Sequence, residues 1–308
     1  EKSKIAHFLY MPLTGLGLYG GHRGKRWLKN RIKIFKQFVL PSLLTQTDPN
    51  FILWVSARYE DKNDPILQDL KKYLDKCNLR NVFTYAGVCF WDDKYPDEVA
   101  HDRLAHALQG SMAELLNSMG EAETILMTIQ PSDDVYHRGV VGATKDYFER
   151  NPSKDVYGFK EGYVMDYVNR KLAEWNPTTT PPFYTIKFER KTFMDPFKHM
   201  AFIGPYKSHE YVKDYLNVEY IDERAFIVGI HGENISTVFD HPFTGHEFLG
   251  DNIERILDKF GLAGIKPLKL PFSLRKWFMK KLPYGWKRKL RYWLGERFGN
   301  RIYNWLRS

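Results

Sequence analysis

Two adjacent carboxylates, Asp133 and Asp134, are the residues of this sequence whose types and position point most clearly to chemistry. They directly follow a short apolar stretch, residues 124–129, which predicts a buried strand. Parallel sheets bind ligands beyond the carboxyl ends of their strands, and adjacent carboxylates are costly to bury unpaired. A divalent cation that bridges them to a diphosphate would offset this cost. The alternative is that both acids cap a helix that follows, and spacing alone leaves the two interpretations even.

His231 follows a second predicted strand, residues 224–230. A neutral imidazole is a common metal ligand, but a histidine in this position can equally form a hydrogen bond within its own loop. Asn234 and Ser236 follow closely and could bind a diphosphate or act as turn residues. This short segment is therefore a second candidate for ligand binding.

Two arginines are candidates for binding phosphate groups. Arg23 lies in a glycine-rich loop, residues 15–24, where the backbone can approach a ligand closely. The loop does not have the GxxxxGK[ST] pattern, which excludes a P-loop. Arg103 could hold a phosphate through its planar guanidinium, or form a surface ion pair with Asp102 or Asp93.

The elements that must position these residues alternate between strands and helices. A predicted strand at residues 5–11, a helix at 27–40 and a strand at 51–55 have the order of a parallel sheet. Further helices are predicted at residues 67–74, 102–119, 140–150 and 208–216, and further strands at 82–85, 124–129, 156–163, 172–175, 183–188 and 224–230. We therefore expect an α/β fold with one mostly parallel, Rossmann-like sheet and helices on both faces.

The positive charge of the chain is concentrated at its end. Residues 273–308 contain 11 basic residues and one acidic residue, while the whole chain has a net charge of +9. Four of the eight tryptophans also lie there. With a break near Pro267 and Pro271, we predict a catalytic domain at residues 1–266 and a basic amphipathic helical tail at 267–308.

This tail has the composition of helices that lie in the headgroup layer of a membrane, with tryptophan and leucine toward the lipid and lysine and arginine toward anionic headgroups. The alternatives are that its aromatic residues pack on the globule, or that it binds RNA. We favour an anionic membrane surface over nucleic acid, because tryptophan is typical of membrane interfaces.

The cysteines and the hydropathy suggest a compartment. Two cysteines, Cys77 and Cys89, are too few for a disulfide framework, and their spacing fits no zinc motif. No signal peptide and no run of 18 apolar residues is evident. We expect a cytoplasmic protein that is peripheral on the inner face of the cell membrane.

Several motifs together resemble the bacterial putative rhamnosyltransferase family, which has the GT-A fold. The resemblance covers roughly residues 5–240 and is most specific at 31–55, where a helix ends in Leu-Pro-Ser-Leu and is followed by Gln-Thr, Asn-Phe and a strand. Weaker matches follow in the expected order: Arg103, then Pro131-Ser132-Asp133-Asp134, then His231-Gly232-Glu233-Asn234-Ile235-Ser236.

This resemblance implies a GT-A glycosyltransferase that moves a sugar from a nucleoside diphosphate donor to a hydroxyl of a glycan or lipid-linked acceptor, with inversion. It implies a divalent metal, Mn²⁺ or Mg²⁺, held by Asp133, Asp134 and His231. The nucleotide would be bound by Arg23, Arg103, Ser132, Asn234 and Ser236. The general base would be Glu210 or Asp195, with Glu161 as a further candidate. Acceptors of this kind would place the protein in polysaccharide biosynthesis.

One position departs from the family pattern: Pro131 stands where the family usually has the first Asp of its acidic motif. This departure weakens the expectation of a metal. It favours one of two other functions that stay open, a membrane- or RNA-binding adaptor without catalysis. The second is another metal-dependent nucleotide enzyme such as a nucleotidyltransferase, which would need a further acid near Asp133 and Asp134; none is evident in the sequence.

Overall fold

A computed structural model describes residues 5–14, 25–58, 61–85, 117–179, 181–193, 212–232, 234 and 237–271. Within these residues the chain forms two β-sheets with helices packed against them. The predicted helix at 102–119 lies mostly outside the described residues, as does the tail from residue 272 onward. In the part that is described, no helix has the length and apolar character needed to cross a bilayer.

The larger sheet has seven strands, in the order β10-β6-β9-β4-β1-β2-β3. Its strands are β1 (Ile5–Thr14), β2 (Ile52–Ala57), β3 (Asn81–Tyr85), β4 (Thr124–Ile129), β6 (Val156–Phe159), β9 (Tyr184–Glu189) and β10 (Val218–Ile221). The four strands β3, β2, β1 and β4 are parallel, while β9 runs antiparallel to both β4 and β6. The predicted mostly parallel sheet is confirmed.

The smaller sheet has five strands, in the order β12-β8-β7-β11-β5. They are β5 (Val135–Tyr136), β7 (Gly162–Asp166), β8 (Lys171–Trp175), β11 (Phe226–Ile230) and β12 (Thr244–Phe248). Strands β7 and β11 are parallel, and β5 pairs antiparallel with β11. Because β5 begins six residues after β4 ends, the chain passes from one sheet to the other around the acid pair.

The helices are α1 (Lys25–Ile34), α2 (Leu40–Leu44), α3 (Pro65–Lys76), α4 (Val140–Arg150), α5 (Val212–Tyr215) and α6 (Asp251–Asp258). A π-helical turn, Phe35–Val39, joins α1 to α2, and a 3-10 turn covers Arg190–Thr192. The helix predicted at 27–40 thus continues to Leu44, because Pro41 stands in the first turn of α2, where its missing N–H costs nothing.

Strand β1 explains how both faces of the larger sheet are covered. Its side chains alternate: Leu9 and Met11 face the core formed with α1, α2 and α3, whereas Phe8 and Tyr10 face a second core that includes Val212 of α5. This alternation is the period of two that strand geometry requires. A third cluster lies between the smaller sheet and α4.

One predicted strand is wrong in its extent. Residues 156–163 were expected to form a single strand, but the chain turns at Lys160 and Glu161 and enters the other sheet. The apolar pattern gives no sign of this turn. Beyond the predicted domain boundary the chain still packs on the core, since Leu268 is only 2% exposed. The boundary itself, and the helical nature of the tail, stay predictions.

Candidate active site

The acid pair lies at the joint between the two sheets. Past the end of β4, the backbone N–H of Gln130 continues the ladder by donating to the carbonyl of Tyr10. The Gln130 side chain then donates to the carbonyls of Pro131, at 2.9 Å, and Asp134, at 3.0 Å, which fixes the turn that carries both acids. Strand β5 follows immediately, so the alternative in which the two acids cap a helix is wrong: α4 begins only at Val140.

Asp133 is held by two side chains from distant parts of the chain. Its Oδ2 lies 2.9 Å from Nε2 of His231, which follows β11, and also contacts the guanidinium of Arg31 on α1. The side chains of Arg31, Asp133 and His231 are 8%, 17% and 0% exposed, so this cluster is largely screened from water. The Arg31 guanidinium also lies over the ring of Trp27, at 5.1 Å from its centroid.

Asp134 points away from this cluster. Its Oδ1 accepts a hydrogen bond from the backbone N–H of Gly229 at 2.8 Å. The structure therefore uses the two carboxylates differently: Asp133 faces Arg31 and His231, while Asp134 braces β11. Asn234 braces the same segment, because its amide donates to the carbonyl of Gly229 and its Oδ1 accepts from the N–H of His231.

Tyr167, at the end of β7, connects the site to the body of the protein. Its hydroxyl donates to the backbone carbonyl of Asp133 at 2.8 Å, and its ring stacks on Phe38 of the π-helical turn at a centroid distance of 3.8 Å. Its carbonyl accepts from the N–H of Leu268, and its own N–H donates to Ile230. One buried residue thus fixes the backbone of the acid pair, the π-helical turn and the start of the C-terminal segment together.

The electrostatics of the two acids differ accordingly. Burial by itself would raise the pKa of Asp133, but the charge of Arg31 and the contact with His231 together lower it below its usual range. Burial, and then the negative charge of Asp133, raise the pKa of Asp134 well above its ordinary value. Neighbouring carboxylates in one dry site commonly separate in this way.

The predicted metal ligands do not converge on one point. Asp133 Oδ2 and His231 Nε2 are close enough to share a cation, but Asp134 is turned to Gly229 and Arg31 already places a positive charge against Asp133. Among the described residues, no group of three or more His, Cys, Asp or Glu side chains could hold a metal ion. These side chains do not fit a metal that the protein would hold by itself.

Other predicted residues have varied positions. Ser132 is buried within the turn that carries the acids, at 7% exposure. Glu161 lies 3.2 Å from Arg224, beside the start of β7. Tyr167 follows the other end of β7, so the five residues of this strand, roughly 16 Å, lie between Glu161 and Tyr167. The remaining candidates lie outside the described residues: Arg23, Arg103, Asp195, Glu210 and Ser236.

Arg31 is the residue of the site that the sequence did not single out. It appears among the residues that carry the family resemblance, but on α1 it reads as one of five cations in a helix. Its burial depends on Asp133, a residue far away in sequence. The available signal is its position on the helix: Leu28, Arg31 and Ile32 share one face, and an arginine on an apolar face requires a partner.

Comparison with known proteins bears on the identity of this site. Residues 23–82 match the family described as "Putative rhamnosyl transferase". The chain is a glycosyltransferase. The matched segment runs from α1 to β3 and includes Arg31, while Asp133 and His231 lie beyond it. The predicted resemblance is thereby confirmed in its most specific part, and no curated protein matches the sequence of this glycosyltransferase significantly.

Solved structures give more distant similarities. A putative nucleotide-diphospho-sugar transferase from Desulfovibrio desulfuricans G20 shares 10% identity, with a TM-score of 0.37, over 84% of this glycosyltransferase and 97% of that chain. Mouse xyloside xylosyltransferase 1 in its apo form shares 11% identity, with a TM-score of 0.35, over 71% and 85% of the two chains.

Because the pKa of Asp134 is raised, we expect that replacing this residue stabilises the protein, by an amount that depends on pH. The pKa of Asp134 is close to 4 in the unfolded chain and well above that value in the native state. The native state therefore keeps its proton to higher pH, and the free energy of unfolding falls as the pH rises above about 4. Asp134→Asn removes this loss and can still accept from Gly229. We expect a higher melting temperature than wild type near pH 7 and no difference near pH 4. The exposed Asp214→Asn serves as a control without effect; an Asp134→Asn protein less stable than wild type at pH 7 would contradict this account.

Gly229 lies so close to Asp133 that no side chain fits there. A Cβ on Gly229 would lie 2.3 Å from the carbonyl oxygen of Asp133 and 2.4 Å from the ring of Tyr167. We expect Gly229→Ala to cost about 1–3 kcal/mol in the free energy of unfolding, measured by urea denaturation. Gly142→Ala is the matched control: its Cβ would meet nothing closer than 3.7 Å, and alanine is favoured within α4. Equal effects of the two substitutions would contradict the prediction.

Proposed function

We propose that this glycosyltransferase moves a sugar from a nucleoside diphosphate donor to a hydroxyl acceptor, with inversion at the anomeric carbon. The observation that carries the proposal is the Arg31–Asp133–His231 cluster beyond the carboxyl ends of the parallel strands, where such sheets bind ligands. A cation and an imidazole in a largely dry site are suited to a diphosphate, because phosphate oxygens accept from both.

In this reaction the acceptor oxygen bonds to the anomeric carbon from the face opposite the diphosphate. The bond from that carbon to the diphosphate oxygen breaks, and its electron pair leaves with the nucleoside diphosphate. The acceptor proton passes to a carboxylate base, for which Glu210 and Asp195 stay the candidates. The name of the matched family favours rhamnose as the sugar, so rhamnosyl donors are the first to test.

Metal dependence stays a prediction. Asp133 and His231 supply two donor atoms, and Mg²⁺ is often held by one or two protein ligands together with substrate phosphates. A metal bound in this way would stabilise the negative charge on the leaving diphosphate. It would also have to share Asp133 with Arg31.

A thermal-shift screen tests the proposed function. Nucleoside diphosphates and sugar nucleotides are added to wild type and to Asp133→Ala/Asp134→Ala, with and without Mn²⁺. A ligand that binds only the native state raises the melting temperature by mass action. The proposal requires a shift for at least one nucleotide in wild type, and the double variant shows whether this shift depends on the acid pair. A wild-type protein that responds to no nucleotide under either condition would overturn it.

We also propose that the protein acts at the cytoplasmic face of a membrane, on acceptors carried there. The supporting observation is a basic face formed by Lys25, Arg26, Lys29 and Lys33 of α1 together with Lys266 and Lys269, all of them exposed. Neither α1 nor residues 261–271 contain an acidic residue. Arg26 donates to the carbonyl of Pro271 at 3.3 Å, so the described end of the C-terminal segment lies beside this same face.

Vesicle sedimentation tests the membrane proposal. Each cation near an anionic surface contributes on the order of 1 kcal/mol. Lys25→Glu/Lys29→Glu should therefore weaken binding to phosphatidylglycerol vesicles by at least about tenfold. Lys72→Glu/Lys76→Glu on the exposed side of α3 makes the same change in charge and should have little effect. Wild-type protein that does not sediment with these vesicles at low salt would contradict the proposal.

A further inference from the structure

The guanidinium of Arg31 has hydrogen-bond donors to spare. An arginine offers five N–H donors in a rigid plane, and here Asp133 contacts only Nη1. In the part of the chain that the structure describes, no other acceptor reaches Arg31, although the residue is only 7% exposed. A guanidinium buried to this extent is costly unless its donors are used. The free edge of Arg31 is thus a built anion site at the carboxyl end of the parallel strands.

The surroundings of Arg31 fit a diphosphate better than another carboxylate. Asp133 neutralises the arginine without saturating it, and the guanidinium carbon lies 5.1 Å from the centroid of the Trp27 ring. The planar fork matches two oxygens of a phosphate group. Helix α1 contains no acidic residue, so none of its side chains competes with an anion for Arg31. The exposed Lys29 on the same helix adds a further positive charge.

We propose that Arg31 is the protein's own cation for the donor diphosphate, and that donor binding needs no metal ion at Asp133. This inference rests on the proposed function. Nη2 and Nε of Arg31 donate to the diphosphate, and they stabilise the negative charge that develops as the bond from the anomeric carbon to the diphosphate oxygen breaks. Asp133 and His231 then position Arg31 rather than a metal.

Calorimetric titration with nucleoside diphosphates, in EDTA and in Mn²⁺, tests this role in the full chain. We expect wild type to bind one nucleotide in EDTA. Arg31→Gln should weaken that binding by at least about tenfold, because a charge-assisted contact is lost. Arg31→Lys should lie in between, since it keeps the charge but loses the fork. In turnover assays Arg31→Gln should lower kcat as well as raise KM.

Arg224→Gln is the matched control. Arg224 also pairs with carboxylates, Glu161 at 3.2 Å and Glu174 at 3.5 Å, but it lies beside the opposite ends of β7 and β11. Its replacement should leave the affinity for the nucleotide within about twofold of wild type, because no contact to the donor is removed.

A second variant keeps the test informative if Arg31→Gln fails to fold. Asp133→Asn retains Arg31 and removes its counter-charge, so at a temperature at which this variant is folded it should bind the nucleotide in EDTA at least as tightly as wild type. Arg31→Gln/Asp133→Asn, in which no carboxylate is left unpaired, should lose that binding. If wild type binds only in Mn²⁺, and Asp133→Asn abolishes this binding while Arg31→Gln does not, Asp133 holds a metal and the inference is overturned. Wild type without affinity for any nucleotide would instead overturn the proposed function.

Discussion

Asp133→Ala is expected to lower the free energy of unfolding by about 3–5 kcal/mol, because it leaves Arg31 buried without a counter-charge. Both side chains of the pair are less than one-fifth exposed, so water cannot replace the lost partner readily. Arg31→Met should cost a similar amount for the mirror-image reason, since it leaves Asp133 charged in the same dry space. Urea denaturation at neutral pH measures both.

The double variant Arg31→Met/Asp133→Ala provides the decisive comparison. Once both charges are removed, neither residue leaves an unpaired buried charge, and the double variant should be markedly more stable than the sum of the single losses allows. The pair Asp48–Lys145 is a more exposed control, at 25% and 14%, and Lys145→Met should cost less. Additive losses at Arg31 and Asp133 would show that the two side chains do not interact in solution.

Tyr167→Ala should lower the free energy of unfolding by about 3–5 kcal/mol, the range for deletion of a large buried ring. It removes the stack on Phe38 and the hydrogen bond to the carbonyl of Asp133 at once. Tyr167→Phe keeps the stack and loses only the hydroxyl, so it should cost about 1–3 kcal/mol, mainly for the unsatisfied carbonyl. The difference between the two variants separates the packing from the hydrogen bond.

Tyr73→Ala is the control for the ring deletion. Tyr73 is 39% exposed on α3 and lies under Lys36, so its loss should cost less than about 1 kcal/mol. If Tyr167→Ala is no more harmful than Tyr73→Ala, Tyr167 does not connect the acid pair to the body of the protein.

Strand β4 and helix α4 were predicted with their observed bounds, because each has one clear hydrophobic period between polar ends. Position relative to β4 also placed Asp133 and Asp134 correctly at the edge of the sheet. The different orientations of the two acids could not be predicted from the sequence. They depend on the two-residue strand β5, whose partner β11 lies about 90 residues later in the chain.

The turn at Lys160 and Glu161 was missed for a similar reason. Residues 156–159 and 162–166 are both apolar enough for buried strands, and only tertiary packing assigns them to different sheets. Gly162 allows the crossing, because a Cβ there would lie 2.4 Å from the ring of Phe226. The burial of Arg31 likewise depends on a partner that no local pattern reveals.

Arg31 and His231 contact the same carboxylate oxygen of Asp133 but are synthesised at very different times. His231 lies 98 residues after Asp133, and Arg31 about as far before it. During synthesis Arg31 and Asp133 leave the ribosome well before β11 exists, so an early intermediate can form the ion pair but not the finished cluster. A nascent chain that stops before β11 would carry most of the parallel sheet and yet lack the brace on Asp134 and the imidazole on Asp133. The complete cluster therefore depends on β11, a strand that is synthesised about 90 residues after the acid pair.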